Sequence, residues 1–299
     1  MAVNAITLIC NPADAILDED LRDAAAHALL DAFGEVRRRT LSEEVAEDFL
    51  VAAPADRAMV MAALAPALGA AALDVIVQPA RTRARKLLIA DMDSTIIGQE
   101  CIDELADFAG LKAEISAITE RAMRGELDFE AALETRVGML KGLKESVLED
   151  CFRARVTLNP GAATLVQTMN ARGAATVLVS GGFTFFAGRV ARLAGFQHFR
   201  ANELVISGGR LTGEVRRPIL GRAAKAAALR QHAKEIGVPL SATLAVGDGA
   251  NDLDMIAAAG LGVAWRAKPK VAAAADAQIN HADLTALLFA QGVKAEAFA

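Results

Sequence analysis

The sequence predicts an α/β protein: a doubly wound parallel-sheet core with an inserted helical cap, preceded by a small ferredoxin-like α/β unit. Three observations carry this expectation. Near-continuous apolar runs at residues 86–90, 176–179, 243–246 and 261–264 alternate with helical segments, the pattern of a parallel sheet covered on both faces. Residues 1–80 alternate short apolar runs with two helical segments in the order β-α-β-β-α-β. A strongly helical stretch over residues 102–158 follows the first core strand and is too long for a simple crossover, so it reads as an inserted cap.

In the first unit, residues 5–10 read as a strand. Residues 18–33 show helical spacing behind Asp18, Glu19 and Asp20, a start signal because carboxylates favour the positive end of a helix. Residues 36–41 and 48–53 read as strands, 57–68 as a helix with Pro66 near its end, and 73–77 as a last strand. Pro79 and the basic residues Arg81, Arg83, Arg85 and Lys86 read as a solvated linker rather than a binding patch, dividing units 1–80 and 81–299. In the second unit, residues 202–217 alternate and turn at Ser207-Gly208-Gly209, the signature of a β-hairpin. A cap and hairpin of this kind exclude water and shape a pocket.

Composition narrows the function classes. Hydrophobic residues make up 54% of the 299-residue chain, but many are alanine, which favours helix and adds little apolar surface. The most apolar stretch, residues 58–73, contains Pro66 and Gly69 and falls short of the roughly 20 residues a membrane span needs. The N-terminus lacks the basic start and apolar core of a secretory signal. Cys10, Cys101 and Cys151 are widely spread with no C-x-x-C pair, as expected of reduced thiols rather than a disulfide framework or a zinc site. A net charge of −5 argues against nucleic acid as the main partner, since a phosphate backbone needs a basic face. The expected location is the cytoplasm, with no membrane partner. The assembly stays open, a homodimer included.

Four polar clusters follow the apolar runs, where open α/β sheets place their ligands. Asp91-Met92-Asp93-Ser94-Thr95 sets two carboxylates one residue apart: one can attack phosphorus while the other moves protons. Alone, the pair fits a metal-only site or a capped loop equally. Ser180-Gly181-Gly182, ahead of a helix over 183–193, offers a hydroxyl and backbone amides to an anion, or simply an N-cap and a flexible turn. Lys225, near a helix start, gains nothing from the helix dipole; neutralising a phosphate oxygen and the nucleophile would favour it, though an isolated lysine also fits the solvated surface. Gly247-Asp248-Gly249-Ala250-Asn251-Asp252 places carboxylates in a tight turn, suited to a hard cation such as Mg²⁺ or to turn chemistry alone. Asp254 reads as an ordinary helical residue facing out.

In this order and spacing the clusters resemble the haloacid dehalogenase superfamily over residues 86–288: DMDST matches its first motif, Ser180 its second, Lys225 its third and GDGAND its fourth. Within it, the chain is similar to the phosphoserine phosphatase family. Glu100 follows the first motif as it does there; Arg136-Val137-Gly138-Met139-Leu140 matches an R-V-x-x-L segment, and the stretch 122–129, with Met123 and Phe129, an A-M-x-G-x-L-x-F segment. The N-terminal unit resembles ACT-like modules.

The resemblance implies Asp91 as nucleophile and Asp93 as general acid and base. It implies Mg²⁺ held by Asp91, the backbone carbonyl of Asp93 and Asp248, with Asp252 in support. Ser180, Gly181 and Lys225 would hold the phosphate, Gly182 would allow close approach, and Asn251 would orient the phosphate or Lys225. An amino-acid substrate carries both charges: Glu100 suits its ammonium and the Arg136 fork its carboxylate, although either residue alone also fits a helix-surface ion. Met123 and Phe129 would wall the pocket, or serve as cap core. The implied reaction is hydrolysis of O-phospho-L-serine. Two alternatives remain: another small phosphomonoester, hydrolysed or transferred to a second alcohol, and an amino-acid sensor whose core is idle.

Overall fold

The structure is a computed structural model and describes residues 3–299. The N-terminal part contains β1 (Asn4–Cys10), α1 (Glu19–Phe33), β2 (Val36–Ser42), β3 (Ala46–Val51), α2 (Arg57–Leu68) and β4 (Leu73–Pro79). The strands form an antiparallel sheet in the order β2-β3-β1-β4, the ferredoxin-like arrangement. Both helices start on aspartates: Asp18 accepts from the Leu21 amide at 2.9 Å and Asp56 from the Met59 amide at 2.8 Å, satisfying otherwise unpaired first-turn donors. β3 begins two residues before the expected 48–53, because Ala46 and Glu47 pair with Ser42 and Thr40 across a tight turn.

The connector departs from expectation. Arg81 and Lys86 are exposed, but Arg83 and Arg85 are buried. Arg83 donates to both carboxylate oxygens of Asp48, at 2.9 and 2.6 Å. Arg85 donates to Ser241 O at 2.5 Å and to Gln78 Oε1 at 2.8 Å. A buried guanidinium needs such acceptors, so half of the supposed solvated linker ties the two sheets together. Asp74 on β4 adds to this seam by accepting from the amides of Asn280, His281 and Ala282 at 2.8, 3.1 and 2.8 Å.

The second part opens with β5 (Leu87–Ala90), then four helices, α3 (Cys101–Phe108), α4 (Lys112–Met123), α5 (Phe129–Met139) and α6 (Ser146–Arg155). These are the expected cap. Beyond it run α7 (Ala162–Ala171), β6 (Ala175–Phe183), α8 (Thr184–Ala194), β7 (His198–Asn202), the hairpin β8 (Leu204–Ser207) and β9 (Arg210–Val215), and α9 (Arg222–Glu235). The chain closes with β10 (Thr243–Gly247), α10 (Leu253–Ala258), β11 (Leu261–Trp265), α11 (Pro269–Ala274), β12 (Ala277–Ile279) and α12 (Ala286–Ala290). Six strands form one parallel sheet in the order β12-β11-β10-β5-β6-β7. β5, β6, β10 and β11 are its central members and almost wholly buried, because both faces carry helices. The edge strands β7 and β12 were not anticipated: HFRAN and AQI lack the apolar run that marks a doubly covered strand.

The cap is joined to the core by two chain passages lying side by side. Ile97 bridges Leu158, and the Asn159 amide group donates to Thr95 O at 2.7 Å. The hairpin reaches over to the cap: the amides of Gly142 and Glu145 donate to Leu211 O and Gly209 O at 2.8 and 2.9 Å, and Leu211 N donates back to Leu143 O at 2.9 Å. Among the described residues no helix is long and apolar enough to cross a membrane.

Candidate active site

Asp91 follows the central strand β5, its amide bonded to Val246 O of β10 at 3.0 Å. Residues Met92–Ile96 then form a single wide turn closed by Ile97 N donating to Met92 O at 3.0 Å. Inside it Ser94 takes a left-handed φ of 55°, a costly conformation for a residue with a Cβ. Its hydroxyl donates to Glu100 Oε1 at 2.7 Å. This turn is why two aspartates one residue apart reach the same crevice instead of opposite faces of a strand.

The two carboxylates have different partners. Asp91 Oδ1 accepts from Met92 N at 2.8 Å and lies 2.6 Å from the Lys225 ammonium. Asp93 accepts from Cys101 N at 2.9 Å and from the Ser180 hydroxyl at 3.1 Å. Burial raises the pKa of both, Asp91 well above the usual carboxylate range because Asp252 adds its repulsion. For Asp93 a raised value favours the protonated form that a proton donor needs.

Lys225 projects from the first turn of α9 and has no exposed surface. It is no surface lysine: it bridges Asp91 and Asp252, the latter at 2.7 Å. Burial alone would depress its pKa, but the two carboxylates outweigh that and raise it. The other oxygen of Asp252 accepts from Gly249 N at 3.1 Å, so both of its oxygens are occupied. Asp248 accepts from the Thr95 hydroxyl at 3.2 Å. Burial, then Asp252, pushes its pKa up to about 7.

Oxygen atoms of Asp91, Asp248 and Asp252 lie within 4.8 Å of one another. Among the described residues Lys225 is the one cation within ion-pair reach of the three, so the cluster carries excess negative charge. Buried oxygen donors, three carboxylates against one ammonium, fit a hard divalent cation. The Asp93 carboxylate is not part of that set.

The glycines are required by close approach. A Cβ on Gly181 would stand 2.6 Å from the Phe129 ring, and one on Gly182 2.7 Å from Asp93 Oδ2. The helix expected after the cradle is present and starts one residue later than residue 183. β6 runs on through Phe183, α8 starts at Thr184, and Gly182 N already donates to the Ser180 hydroxyl at 2.8 Å. Asn251 is buried with its Oδ1 unpartnered and does not hydrogen-bond Lys225; its amide nitrogen would stand 3.6 Å from a Cβ on Gly181.

The same small cavity is lined by Asp91, Asp93, Glu100, Arg136 and Asn251, with Met123 and Phe129 on its apolar side. Its free space is about 20 Å³, room for about one water. Arg136 is buried, not a helix-surface ion. It donates to Ala132 O at 3.1 Å and to the Thr119 hydroxyl at 3.0 Å, and among the described residues no carboxylate lies within ion-pair distance. Glu100 is half-buried, and burial with Asp93 and Asp248 raises its pKa well above the usual range. Asp254 does stand outside, paired with Arg222.

Two residues at the site escaped the sequence reading. Asn202, at the end of β7, donates to Gly181 O at 2.8 Å and accepts from Leu220 N at 2.6 Å, linking the glycine loop to the approach of α9. Thr119 holds Arg136. Neither lies in a motif, and β7 has no strand signal to flag its end.

Comparison with known proteins agrees with this geometry. The haloacid dehalogenase-like hydrolase family matches residues 88–257. A phosphoserine phosphatase of Streptomyces coelicolor is 47% identical over 236 residues, 78% of this chain and 57% of that protein. A solved structure described as a phospho-aspartyl intermediate analogue of phosphoserine phosphatase is 39% identical, with a TM-score of 0.66 over 69% of this chain and 98% of its own. A probable phosphoserine phosphatase from Vibrio cholerae is 31% identical, with a TM-score of 0.74 over 98% of this chain and 88% of its own. The chain spans about half to two thirds of the length of the curated relatives it matches first. With the motif carboxylates, lysine and serine gathered at the strand ends, the chain belongs to the haloacid dehalogenase-like hydrolases.

Proposed function

We propose that this chain hydrolyses O-phospho-L-serine to L-serine and phosphate, with Asp91 as the nucleophile. The observation that carries the substrate assignment is Arg136: a buried guanidinium in the same cavity as Asp91 that makes no ion pair among the described residues. A buried charge left in that state calls for an anionic partner. Glu100 supplies the opposite charge on the same wall. A phosphate at Asp91, an ammonium at Glu100 and a carboxylate at Arg136 describe a small phosphorylated amino acid. The similarity to phosphoserine phosphatases supports the reading.

In the first step Asp91 forms a bond to phosphorus as the seryl oxygen–phosphorus bond breaks, and Asp93 gives its proton to the departing oxygen. Both hydrogen-bonded contacts of Asp91 fall on Oδ1, leaving Oδ2 to attack. In the second step Asp93 takes a proton from water, whose oxygen bonds to phosphorus as the aspartyl oxygen leaves. Lys225 neutralises Asp91 and the phosphate oxygens, with Ser180, Gly181 and Asn251 around them. Gly182 leaves room for Asp93. Asp91, the Asp93 carbonyl and Asp248 would hold Mg²⁺, with Asp252 anchoring Lys225 beside them. The ion would offset the repulsion between nucleophile and phosphate. Met123 and Phe129 close the cavity, so substrate admission requires the cap to open.

The same proposal divides the chain into an ACT-like unit (1–80) and a catalytic unit (81–299) with its cap over 102–158, in agreement with two separate sheets. Cytoplasmic location is consistent with three buried, unpaired cysteines. An idle core is disfavoured by a nucleophile and cation 2.6 Å apart, with Asp93 lining the same cavity. Phosphate release from O-phospho-L-serine, with and without Mg²⁺, tests the reading. Magnesium-dependent release faster than from O-phosphoethanolamine is expected; no release, or no preference, would contradict it.

A further inference from the structure

We infer that Thr119 is a positioning residue that sets substrate specificity by holding Arg136 while keeping Asp103 from neutralising it. The inference rests on the proposed role of Arg136 in binding the substrate carboxylate. Three cap helices meet here. Asp103 sits on α3, Thr119 on α4 and Arg136 on α5, and all three are buried. Asp103 is a buried carboxylate close to Arg136, yet the two make no ion pair. The Thr119 hydroxyl stands between them: it lies 2.6 Å from Asp103 Oδ1 and 3.0 Å from Arg136 Nη1.

A hydroxyl has one hydrogen and two lone pairs, and a guanidinium only donates. Arg136 therefore donates to Thr119. Of the two acceptors within reach, Asp103 at 2.6 Å and Ile115 O at 3.0 Å, the charged and nearer oxygen takes the hydrogen, since charge-assisted bonds are shorter and stronger. The polar chain then runs Arg136 to Thr119 to Asp103 in one direction. With Nε bound to Ala132 O at 3.1 Å, the fork is fixed at two points, and among the described residues Nη2 has no hydrogen-bond partner while Arg136 lines the cavity.

A direct Asp103–Arg136 pair would satisfy the guanidinium and compete with any incoming carboxylate. One intervening hydroxyl removes that competition, while Asp103 still favours the charged guanidinium through space. Burial lowers the Arg136 pKa, and Glu100, Asp103 and Asp93 oppose that without touching it. Specificity thus depends on a threonine that never meets the substrate.

The test compares O-phospho-L-serine with O-phosphoethanolamine, which keeps the phosphate and ammonium and lacks the carboxylate. Thr119→Val removes the hydroxyl at nearly constant volume. It is expected to raise KM for phosphoserine on the order of tenfold, the loss of one charge-assisted bond, with kcat little changed and phosphoethanolamine hydrolysis unaffected. Thr119→Ser should restore the preference. Equal losses on both substrates, or an unchanged KM for phosphoserine, would overturn the inference. If Thr119→Val does not fold, Thr119→Ala removes the same hydroxyl, and a weakened preference is again expected. Arg136→Ala, run alongside, separates the two readings. If it spares the preference, the carboxylate site is wrong and the inference falls with it; if it alone abolishes the preference, only the role of Thr119 is refuted.

Discussion

Replacing Lys225 with methionine keeps the length of the side chain and removes its charge. The ammonium has no exposed surface and lies 2.6 Å from Asp91 and 2.7 Å from Asp252. Its loss leaves two buried carboxylates without their cation, and Asp248 beside them. Breaking a buried ion pair by removing one partner costs about 3–5 kcal/mol, a large share of the roughly 5–15 kcal/mol that holds a folded domain. The sign with pH is settled by the raised pKa of Lys225: its contribution is complete below the unfolded value near 10.4 and is lost only as pH rises through the folded value. At neutral pH the whole effect is present. Urea unfolding in chelator, followed by the single tryptophan, Trp265, which is buried in β11, measures it. Adding Asp252→Asn to Lys225→Met should recover part of the loss, since one stranded charge disappears. A loss below about 1 kcal/mol, the scale of an exposed pair, would refute the assignment of Lys225 as a buried clamp.

Three other outcomes follow from the geometry. Gly182→Ala pushes a methyl to 2.7 Å from Asp93 Oδ2 and 3.0 Å from the Ser180 hydroxyl; kcat should fall on the order of a hundredfold, the lower range of general acid–base contributions, with the circular dichroism spectrum intact. Asp248, raised to about 7 from 3.8, favours the metal-free fold fully below pH 3.8, a contribution lost as pH rises through 7; Asp248→Asn should therefore match wild type near pH 4 and exceed it above pH 7 by roughly a few kcal/mol, as thermal melts in chelator would show. Asp74→Ala strands three backbone amides at the seam between the sheets and should cost about 1–3 kcal/mol or more, with KM for phosphoserine unchanged.

Those parts of the fold were legible where burial imposes a pattern. Strands β5, β10 and β11 are covered on both faces, so each reads as an unbroken apolar run, and β5 and β10 lead into Asp91 and Asp248. α1 announced itself through Asp18, whose capping bond needs only local sequence, and α2 through the helical pattern of residues 57–68. The edge strands β7 and β12 stayed hidden because one side of each lacks a partner strand and polar residues are tolerated there. Arg83 and Arg85 misled for another reason: arginine is ordinarily solvated, and the acceptors that bury them, Asp48, Gln78 and Ser241, are brought near only by the fold. At the site, each motif cluster alone had another reading, and the residues became readable through the order and spacing of all four along the chain. Asn202 and Thr119 were not, since each acts through one hydrogen-bonding group on a neighbour distant in sequence.

The most direct test of the central claim is to quench a single turnover of O-phospho-L-serine in acid and map the phosphate by mass spectrometry. A phosphoryl group on the peptide carrying Asp91, absent in Asp91→Asn together with turnover, is the predicted result. Serine released at full rate with no phosphoenzyme, or phosphate on a different residue, would contradict it.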